Sequence, residues 1–244
     1  MISFFGRNRS ADFVMFSASH GAAVLALIVC CLALFACRHR LRSSPASARA
    51  FRLLLAAVLL GSELCLQLWY VSQDIWKPRH SLPLELCGIT LLLSAVLLLT
   101  RSRLLYSFLF FAGIGGALVA FATPNLVYPF PHFRFLQFFI AHTAIVLTPL
   151  YMTWVEGYRP TWKSVGFTML CLNGLAAVVW MINRELGSNY MFLNRKPDTY
   201  SVLDHFGPYP NYLLAEEVLA LGLFSFMYAT FFLLPERIRA SRRR

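Results

Sequence analysis

Charged residues are scarce in this chain: Asp, Glu, Lys and Arg make up only 14% of 244 residues, whereas 58% are hydrophobic. The mean hydropathy of +0.61 lies outside the usual range of soluble domains. Apolar runs recur between short polar breaks, and each approaches the roughly 20 residues that a helix needs to cross a bilayer. Because open strands leave backbone groups unsatisfied in lipid, we predict an all-α integral membrane protein.

The sequence also lacks the signatures of several other classes. Its cysteines form no CxxC-type spacing and fall inside predicted spans, so we predict no disulfide framework, no metal site and no cofactor. The six are Cys30, Cys31, Cys37, Cys65, Cys87 and Cys171. The three lysines, Lys77, Lys163 and Lys196, all lie in loops, which excludes a retinal protein with a Schiff base.

Acidic residues are half as frequent as basic ones, which gives a formal net charge of +11. The basic residues cluster at the ends of apolar runs, so they indicate membrane topology and not nucleic-acid binding. The first apolar run precedes its basic cluster and no A-x-A site is evident, so we interpret it as a true span and not a cleaved signal peptide.

We predict one domain, residues 1–244, without internal repeats or linkers. Seven transmembrane helices are expected at 18–37, 51–73, 82–100, 103–122, 135–155, 165–183 and 212–234. Lys and Arg are more frequent on one side of the predicted bundle than on the other. That side holds the loop after helix 1, the loops near 101 and 159, and the C-terminal tail. The positive-inside rule therefore puts the C-terminus in the cytoplasm and the N-terminus outside, in a multi-pass protein of the cell membrane.

The stretch Ser81-Leu82-Pro83-Leu84-Glu85-Leu86-Cys87-Gly88 places an acid and a thiol at the head of an apolar segment. Ser81 is a suitable N-cap, and Pro83 fits a first helical turn, where its missing N–H costs nothing. A helix N-terminus favours the thiolate form of Cys87, whereas apolar burial favours the thiol. The pattern makes Cys87 a candidate nucleophile.

Other polar groups fall at similar depths in the predicted spans. Cys87 lies roughly 9 Å past Ser81, His142 roughly 12 Å past Arg134, and Glu216 roughly 6 Å past Tyr212. Intramembrane ionisable groups are costly, so by default they mark function. We predict an outward-opening polar pocket under a structured loop spanning 184–211. Its catalytic residues would be Cys87 and His142, and its substrate-binding residues Glu63, Gln67, Thr143, Asn173, Asp204, Glu216 and Glu217.

A purely structural interpretation stands beside each candidate. A buried cysteine commonly behaves as a small hydrophobic residue, and His142 could form an interhelical hydrogen bond without chemistry. Glu216 and Glu217 are about 100° apart on a helix, so we expect only one of them to face the pocket.

SLPLELCGIT, then His142, then DTYSVLDHFGPYPNYLLAEE resemble the bacterial YwaF-like integral membrane proteins, a seven-span family. The resemblance is carried mainly by the LPLxLC and LxxxGPxPxY stretches and covers nearly the whole chain. That family is similar, more distantly, to a eukaryotic acyltransferase that remodels ether phospholipids through an essential cysteine. It is also similar to androgen-induced-type hydrolases of fatty-acid esters that use Thr and His. The resemblance implies that Cys87 is the acyl-accepting nucleophile and His142 the base.

The function expected from these features is a Cys/His lipid acyltransferase or lipid-ester hydrolase whose partners are the lipid bilayer and a phospholipid or acyl-ester substrate. Two alternatives stay open. Glu63, His142 and Glu216 could form a proton-coupled site for binding or transport of a small solute. The chain could also be a non-catalytic assembly protein of the envelope.

Overall fold

Helices account for nearly all regular structure in the computed structural model, which describes residues 4–7, 12–197 and 201–241. No strand occurs in these ranges, so the predicted all-α class is confirmed. The helices are α1 (Ala18–Ser43), α2 (Pro45–Ser72), α3 (Pro78–Ser81), α4 (Leu86–Thr100), α5 (Arg103–Ala122), α6 (Phe133–Trp154), α7 (Trp162–Leu186), α8 (Asn211–Tyr228) and α9 (Leu234–Ser241). A π-helical segment, Ala229–Leu233, joins α8 to α9.

Six helical segments of the described chain are long and apolar enough to cross a membrane: α1, α2, α5, α6, α7 and the continuous stretch Asn211–Glu236. The remaining apolar helix, α4, has 15 residues. It spans about 22 Å, which is shorter than the roughly 30 Å of a bilayer's hydrocarbon core. The sequence predicted seven spanning helices, whereas six helices of the described chain are long enough to span a membrane.

The predicted third helix begins four residues later than expected. Instead of capping a helix at 82, Ser81 ends the short helix α3, where its Oγ accepts a hydrogen bond from the Lys77 amide. Leu82 adopts an extended conformation, with φ −70° and ψ 146°, because the following Pro83 disfavours helical geometry in the residue before it. Residues 82–85 therefore link α3 to α4, and Pro83 lies outside the first turn.

Near residue 44 the predicted loop is replaced by a tight turn. The arginine-rich stretch after residue 37 continues α1 to Ser43, and α2 begins at Pro45. Ser44 separates the two helices, and its Oγ accepts a hydrogen bond from the Ser47 amide at 3.3 Å. A serine cap followed by proline in the first turn is a strong helix-start signal. The extra turns at the ends of both helices are polar and extend beyond the apolar runs.

Hydrogen bonds between loops define the two ends of the bundle. At the upper end, the Arg7 amide donates to Gln73 Oε1, the Phe13 amide to the Val127 carbonyl, and the Leu82 amide to the Tyr190 hydroxyl. This end thus gathers the described residues before α1 and the links 73–85, 123–132, 187–197 and 201–210. The lower end gathers the turn at 44 and the links 101–102 and 155–161. There Tyr158 donates to the Arg101 carbonyl, and Arg52 pairs with Glu156 at 3.6 Å.

The two central helices are α5 and α6, which pack against each other and against α4. Glycine allows α8 to approach closely, because a Cβ on Gly115 would lie 2.9 Å from Phe224 Cε1. Fully buried core residues include Leu97, Leu98, Leu109, Phe110, Phe111, Ile145 and Met152. Helices α1, α2, α7 and α8 surround this centre and leave much of their apolar surface exposed, as expected of helices that face lipid.

Candidate functional site

The first turn of α4 carries Cys87 at the upper end of the bundle. Cys87 packs against the hydrophobic core, and its carbonyl accepts a hydrogen bond from Thr90 Oγ1 at 3.2 Å. The neighbouring Leu86 contacts α5, since its Cδ2 lies 3.3 Å from the position of a Cβ on Gly116. A glycine at 116 therefore lets the head of α4, with its thiol, sit directly on α5.

Pro83 folds back onto the same turn of α4. A Cβ on Gly88 would lie 3.0 Å from the Pro83 carbonyl oxygen and 3.1 Å from its carbonyl carbon and Cα. Such distances are tighter than most Cβ contacts, so a side chain at 88 would require the Pro83 backbone to shift by a few tenths of an ångström. Gly88 thus allows the link between α3 and α4 to pack against the residues on either side of Cys87.

The N-terminus of α4 has no side-chain cap. Glu85 occupies the N-cap position, but its carboxylate accepts a hydrogen bond from the Met191 amide at 2.8 Å. The first backbone bond of the helix runs from the Ile89 amide to the Glu85 carbonyl. The amides of Leu86, Cys87 and Gly88 therefore have no capping side chain, as expected for the first donors of a helix.

Burial raises the pKa of Glu85 to about 7, against the opposing effect of the hydrogen bond from the Met191 amide. The adjacent Tyr190 connects the same region, because its hydroxyl donates to the Pro78 carbonyl at 2.6 Å and accepts from the Leu82 amide at 2.9 Å. Burial also raises the pKa of Tyr190. The segment after α7 therefore covers the link between α3 and α4.

His142 lies on α6 and is buried, with 7% of its surface exposed. Its Nδ1 is 2.7 Å from the Phe138 carbonyl oxygen, and a carbonyl only accepts, so Nδ1 carries the proton of the neutral ring. Nε2 is then an acceptor, and no described residue hydrogen-bonds to it. The imidazole also meets the Phe121 ring of α5, with centroids 6.4 Å apart.

No hydrogen bond joins the Cys87 thiol to His142 among the described residues. Helix α5 contacts both neighbourhoods: Leu86 packs on Gly116, and His142 meets Phe121. Gly116 and Phe121 are five residues apart, which is roughly 7–8 Å along a helix. Cys87 and His142 thus flank the same half of α5.

Glu63 and Gln67 form a pair on α2, as their spacing predicted. Gln67 Nε2 donates to Glu63 Oε1 at 2.6 Å and to the Ser81 carbonyl at 2.8 Å, while Gln67 Oε1 accepts from Trp76 Nε1 at 2.9 Å. The amide of Gln67 is therefore saturated by protein groups, and the pair ties α2 to α3 beside the α4 link.

Thr143 lies on another side of α6. It lines an apolar groove of about 540 Å³ between α1, α2 and α6, together with Ala23, Leu55 and Leu136. His142 does not line this groove. One residue of helical rotation, about 100°, accounts for the separation of the two side chains. The sequence spacing did not reveal this division.

Helices α7 and α8 carry three further candidates. Asn173 Nδ2 donates to Glu217 Oε2 at 3.0 Å and to the Met169 carbonyl at 3.0 Å. Glu216 is partly buried on α8. It lies two helical turns before Leu223, which contacts α5 at Gly115, and so it is on the same face of α8. Asp204 belongs to a short 3₁₀ turn, where its carboxylate accepts from the Ser201 amide at 2.9 Å. These residues form local contacts separate from those of Cys87 and His142.

Sequence reasoning missed the polar contacts of Arg134 and Gln137 in the first turn of α6. Arg134 Nη1 donates to Gln137 Oε1, and Gln137 Nε2 donates to the Ser62 carbonyl on α2 at 3.4 Å. The guanidinium lies 5.9 Å from the Trp69 ring centroid and 5.7 Å from that of Tyr70. Arg134 served in the sequence analysis only as the point from which the depth of His142 was measured, because Trp69 and Tyr70 are distant in the sequence and meet it only through the packing of α2 and α6.

In the ranges the structure describes, no group of three or more His, Cys, Asp or Glu side chains could hold a metal ion.

Comparison with known proteins gives one match. The model of the TMEM164 family matches residues 15–228, which is most of the chain. No curated protein and no solved structure matches it. The match includes α1 to α8 with the α3–α4 link and both candidate catalytic residues.

Proposed function

This chain belongs to the TMEM164 family of membrane proteins, and from its geometry we propose that it transfers acyl groups from membrane lipid esters through Cys87. The observation that carries the proposal is the position of Cys87 in the first turn of an uncapped helix that packs on α5, the same helix whose Phe121 ring meets His142 of α6. The resemblance to YwaF-like proteins and their acyl-transferring relatives belongs to the same proposal.

His142 is suited to be the base. Its Nδ1–H is held by the Phe138 carbonyl, which leaves Nε2 as the proton acceptor. In the proposed step, Nε2 takes the thiol proton of Cys87 and the sulfur forms a bond to the ester carbonyl carbon. The ester C–O bond then breaks, and the leaving alkoxide takes the proton back from His142. Water or a second lipid hydroxyl attacks the thioester and releases the thiol.

The uncapped amides of α4 are the proposed donors to the developing oxyanion. Backbone N–H groups at a helix N-terminus stabilise negative charge without a cost of reorganisation. Thr143 and Asn173 were expected among the substrate-binding residues, but Thr143 lines the α1–α2–α6 groove and Asn173 binds Glu217. The amides of Leu86, Cys87 and Gly88 therefore take this role in the proposal.

We also propose that α4 crosses the membrane as a seventh pass. It runs from the upper end, at the α3 link, to the lower end, at Arg101, where the Tyr158 hydroxyl binds the Arg101 carbonyl. It packs against α2, α5 and α6, and a helix held by such neighbours can be shorter than the lipid is thick. Seven passes put the termini on opposite sides, with the upper end outside and the protein in the cell membrane.

The transport alternative is less well supported. A solute path would need polar groups through the middle of the bundle. That region contains Phe111 and Ile145, each at most 1% exposed. No polar group of the upper end is hydrogen-bonded to a residue of the lower end among the described residues. A non-catalytic assembly role would be the remaining interpretation if Cys87 proves unreactive.

Labelling of the thiol by an acyl-group donor tests the proposal. We expect an activated fatty-acyl ester probe to label the detergent-purified protein, and Cys87→Ala to lose at least about 90% of this labelling because the nucleophile is gone. Cys171→Ala, which changes another partly buried thiol in contact with the core, is the matched control and should label normally. Labelling that survives in Cys87→Ala and disappears in Cys171→Ala would remove the proposal.

A further inference from the structure

Arg134 is an arginine of the upper end that is half-buried and has no acidic partner among the described residues. It lies in the first turn of α6, where the only described hydrogen bond of its guanidinium goes to Gln137. Ion pairs within the described chain join Arg52 to Glu156 and Arg159 to Glu236, both at the lower end. The guanidinium therefore brings an uncompensated positive charge into a partly desolvated site.

The carboxylates of α2 and of the α3–α4 link each accept a hydrogen bond from another group. Glu63 accepts from Gln67, and Glu85 accepts from the Met191 amide. A guanidinium presents five N–H donors in a planar fork, and Gln137 accounts for one of them. The remaining donors match the geometry of a phosphate, which accepts paired hydrogen bonds from arginine.

The neighbours of Arg134 hold its position. The rings of Trp69 and Tyr70 lie on its α2 side, within cation–π distance. Gln137 is itself fixed to the Ser62 carbonyl. A planar cation held between aromatic rings and a fixed amide loses little freedom when an anion binds, so binding there costs less entropy.

We propose that Arg134 binds the phosphate of the phospholipid substrate. This inference rests on the proposed function and names its substrate class. Arg134 is the second residue of α6, at the level where the apolar helix begins and lipid headgroups lie. His142 follows eight residues later, about 12 Å deeper along the helix. A phospholipid bound by its phosphate at Arg134 directs its ester groups toward the level of His142 and Cys87.

Photolabelling measures this binding without requiring turnover. The probes are a phosphatidylcholine with a diazirine in one acyl chain, whose only anionic group is the phosphate, and a diacylglycerol with the same chain. Three variants are compared with the unmodified protein: Arg134→Gln, Arg134→Lys and Arg184→Gln. Arg184 is the matched control, because it is an exposed arginine that also lies over an aromatic ring, 5.1 Å from the Trp180 centroid.

Arg134→Gln should lower phosphatidylcholine labelling about tenfold, because charge-assisted hydrogen bonds are lost, and leave diacylglycerol labelling unchanged. The phosphatidylcholine labelling of Arg134→Lys should lie between that of Arg134→Gln and that of the unmodified protein. Arg184→Gln should be labelled normally by both probes. Arg134→Lys keeps the charge, so it reports on the site even if Arg134→Gln does not fold.

Three results would overturn the inference. One is unchanged phosphatidylcholine labelling of Arg134→Gln, and another is equal loss of both probes, which indicates damaged packing. The third is suppression of phosphatidylcholine labelling by millimolar inorganic phosphate, which would assign the site to free phosphate. Because labelling needs no thiol chemistry, an unreactive Cys87 with Arg134-dependent labelling would reject the proposed function alone.

Discussion

At the residue scale, Gly88 accounts for much of the local geometry around Cys87. Its missing side chain allows the Pro83 backbone to approach to a distance that is tighter than most Cβ contacts. The sequence placed glycine after the cysteine but gave no reason for it. The reason is tertiary, because it depends on a link that folds back over the helix it precedes.

Gly88→Ala should therefore destabilise the protein by about 1–3 kcal/mol, since the new methyl group forces the Pro83 carbonyl away. The measurement is the apparent melting temperature of the purified protein in detergent. Gly61→Ala is the control, because a Cβ at Gly61 meets nothing within 4 Å. That change should raise stability by about 0.5–1 kcal/mol through the usual preference of helices for alanine. Equal melting temperatures for both variants would contradict the close approach.

Ionisation of Glu85 should make the stability of the folded protein depend on pH. Its pKa is raised to about 7 in the folded protein from 4.5, mainly by burial. The unfolded chain therefore loses its proton first as pH rises, so the contribution of Glu85 to stability is present below about pH 4.5 and is lost as pH rises through about 7.

Glu85→Gln should flatten the fall in melting temperature between pH 4.5 and 7, because glutamine still accepts from the Met191 amide without ionising. Glu185→Gln, a change at an exposed acid on α7, should leave the pH profile as it is. A Glu85→Gln profile that keeps the full slope of the unmodified protein would show that another group titrates.

At the element scale, the sequence predicted most of the helices and the upper-end location of the polar groups. It did not predict which polar groups share a face. Thr143 and His142 are adjacent in sequence but face different helices, and Asn173 bonds to Glu217 at a separate helix pair. Hydropathy sets the depth of a residue in a span, whereas the rotation of each helix depends on packing partners that the pattern does not specify.

The contact between α5 and α8 depends on Gly115. Gly115→Ala should lower stability by about 1–3 kcal/mol, since its Cβ would lie 2.9 Å from Phe224 Cε1 and 3.3 Å from Leu223 Cδ2. The loss should shrink in a Phe224→Leu background, because the obstructing ring atom is gone, and a double-mutant cycle of melting temperatures measures this coupling. Gly174→Ala on α7, where nothing lies within 4 Å, is the control. Strict additivity of the Gly115 and Phe224 changes would contradict the direct contact.

At the scale of the whole molecule, the count of spans decides the orientation. The apolar runs predicted seven spans, whereas six helices of the described chain are long enough to be spans. The difference arises because residues 82–85, which were predicted to begin the third helix, lie outside α4. Proline at 83 shortens that helix, which packs against α2, α5 and α6. A helix held by such neighbours can be shorter than the lipid is thick, which a length criterion based on isolated spans does not take into account.

Cysteine labelling tests the proposed orientation. His80→Cys lies in α3 at the upper end, and Ser43→Cys ends α1 at the lower end, both at exposed positions. A membrane-impermeant maleimide should label His80→Cys in intact cells and Ser43→Cys only after the membrane is opened. The unmodified protein measures the background from its native cysteines. Labelling of Ser43→Cys alone in intact cells would reverse the orientation.

The most direct measurement is the intact mass of the protein after incubation with a phospholipid, followed by peptide mapping. We predict a mass increase of one acyl group, carried as a hydroxylamine-sensitive thioester on the peptide that contains Cys87. The increase should be absent in Cys87→Ala and strongly reduced in His142→Ala, because the thiol then has no base. An acyl group on another cysteine, or an unchanged mass under conditions where lipid ester is consumed, would contradict the central role of Cys87.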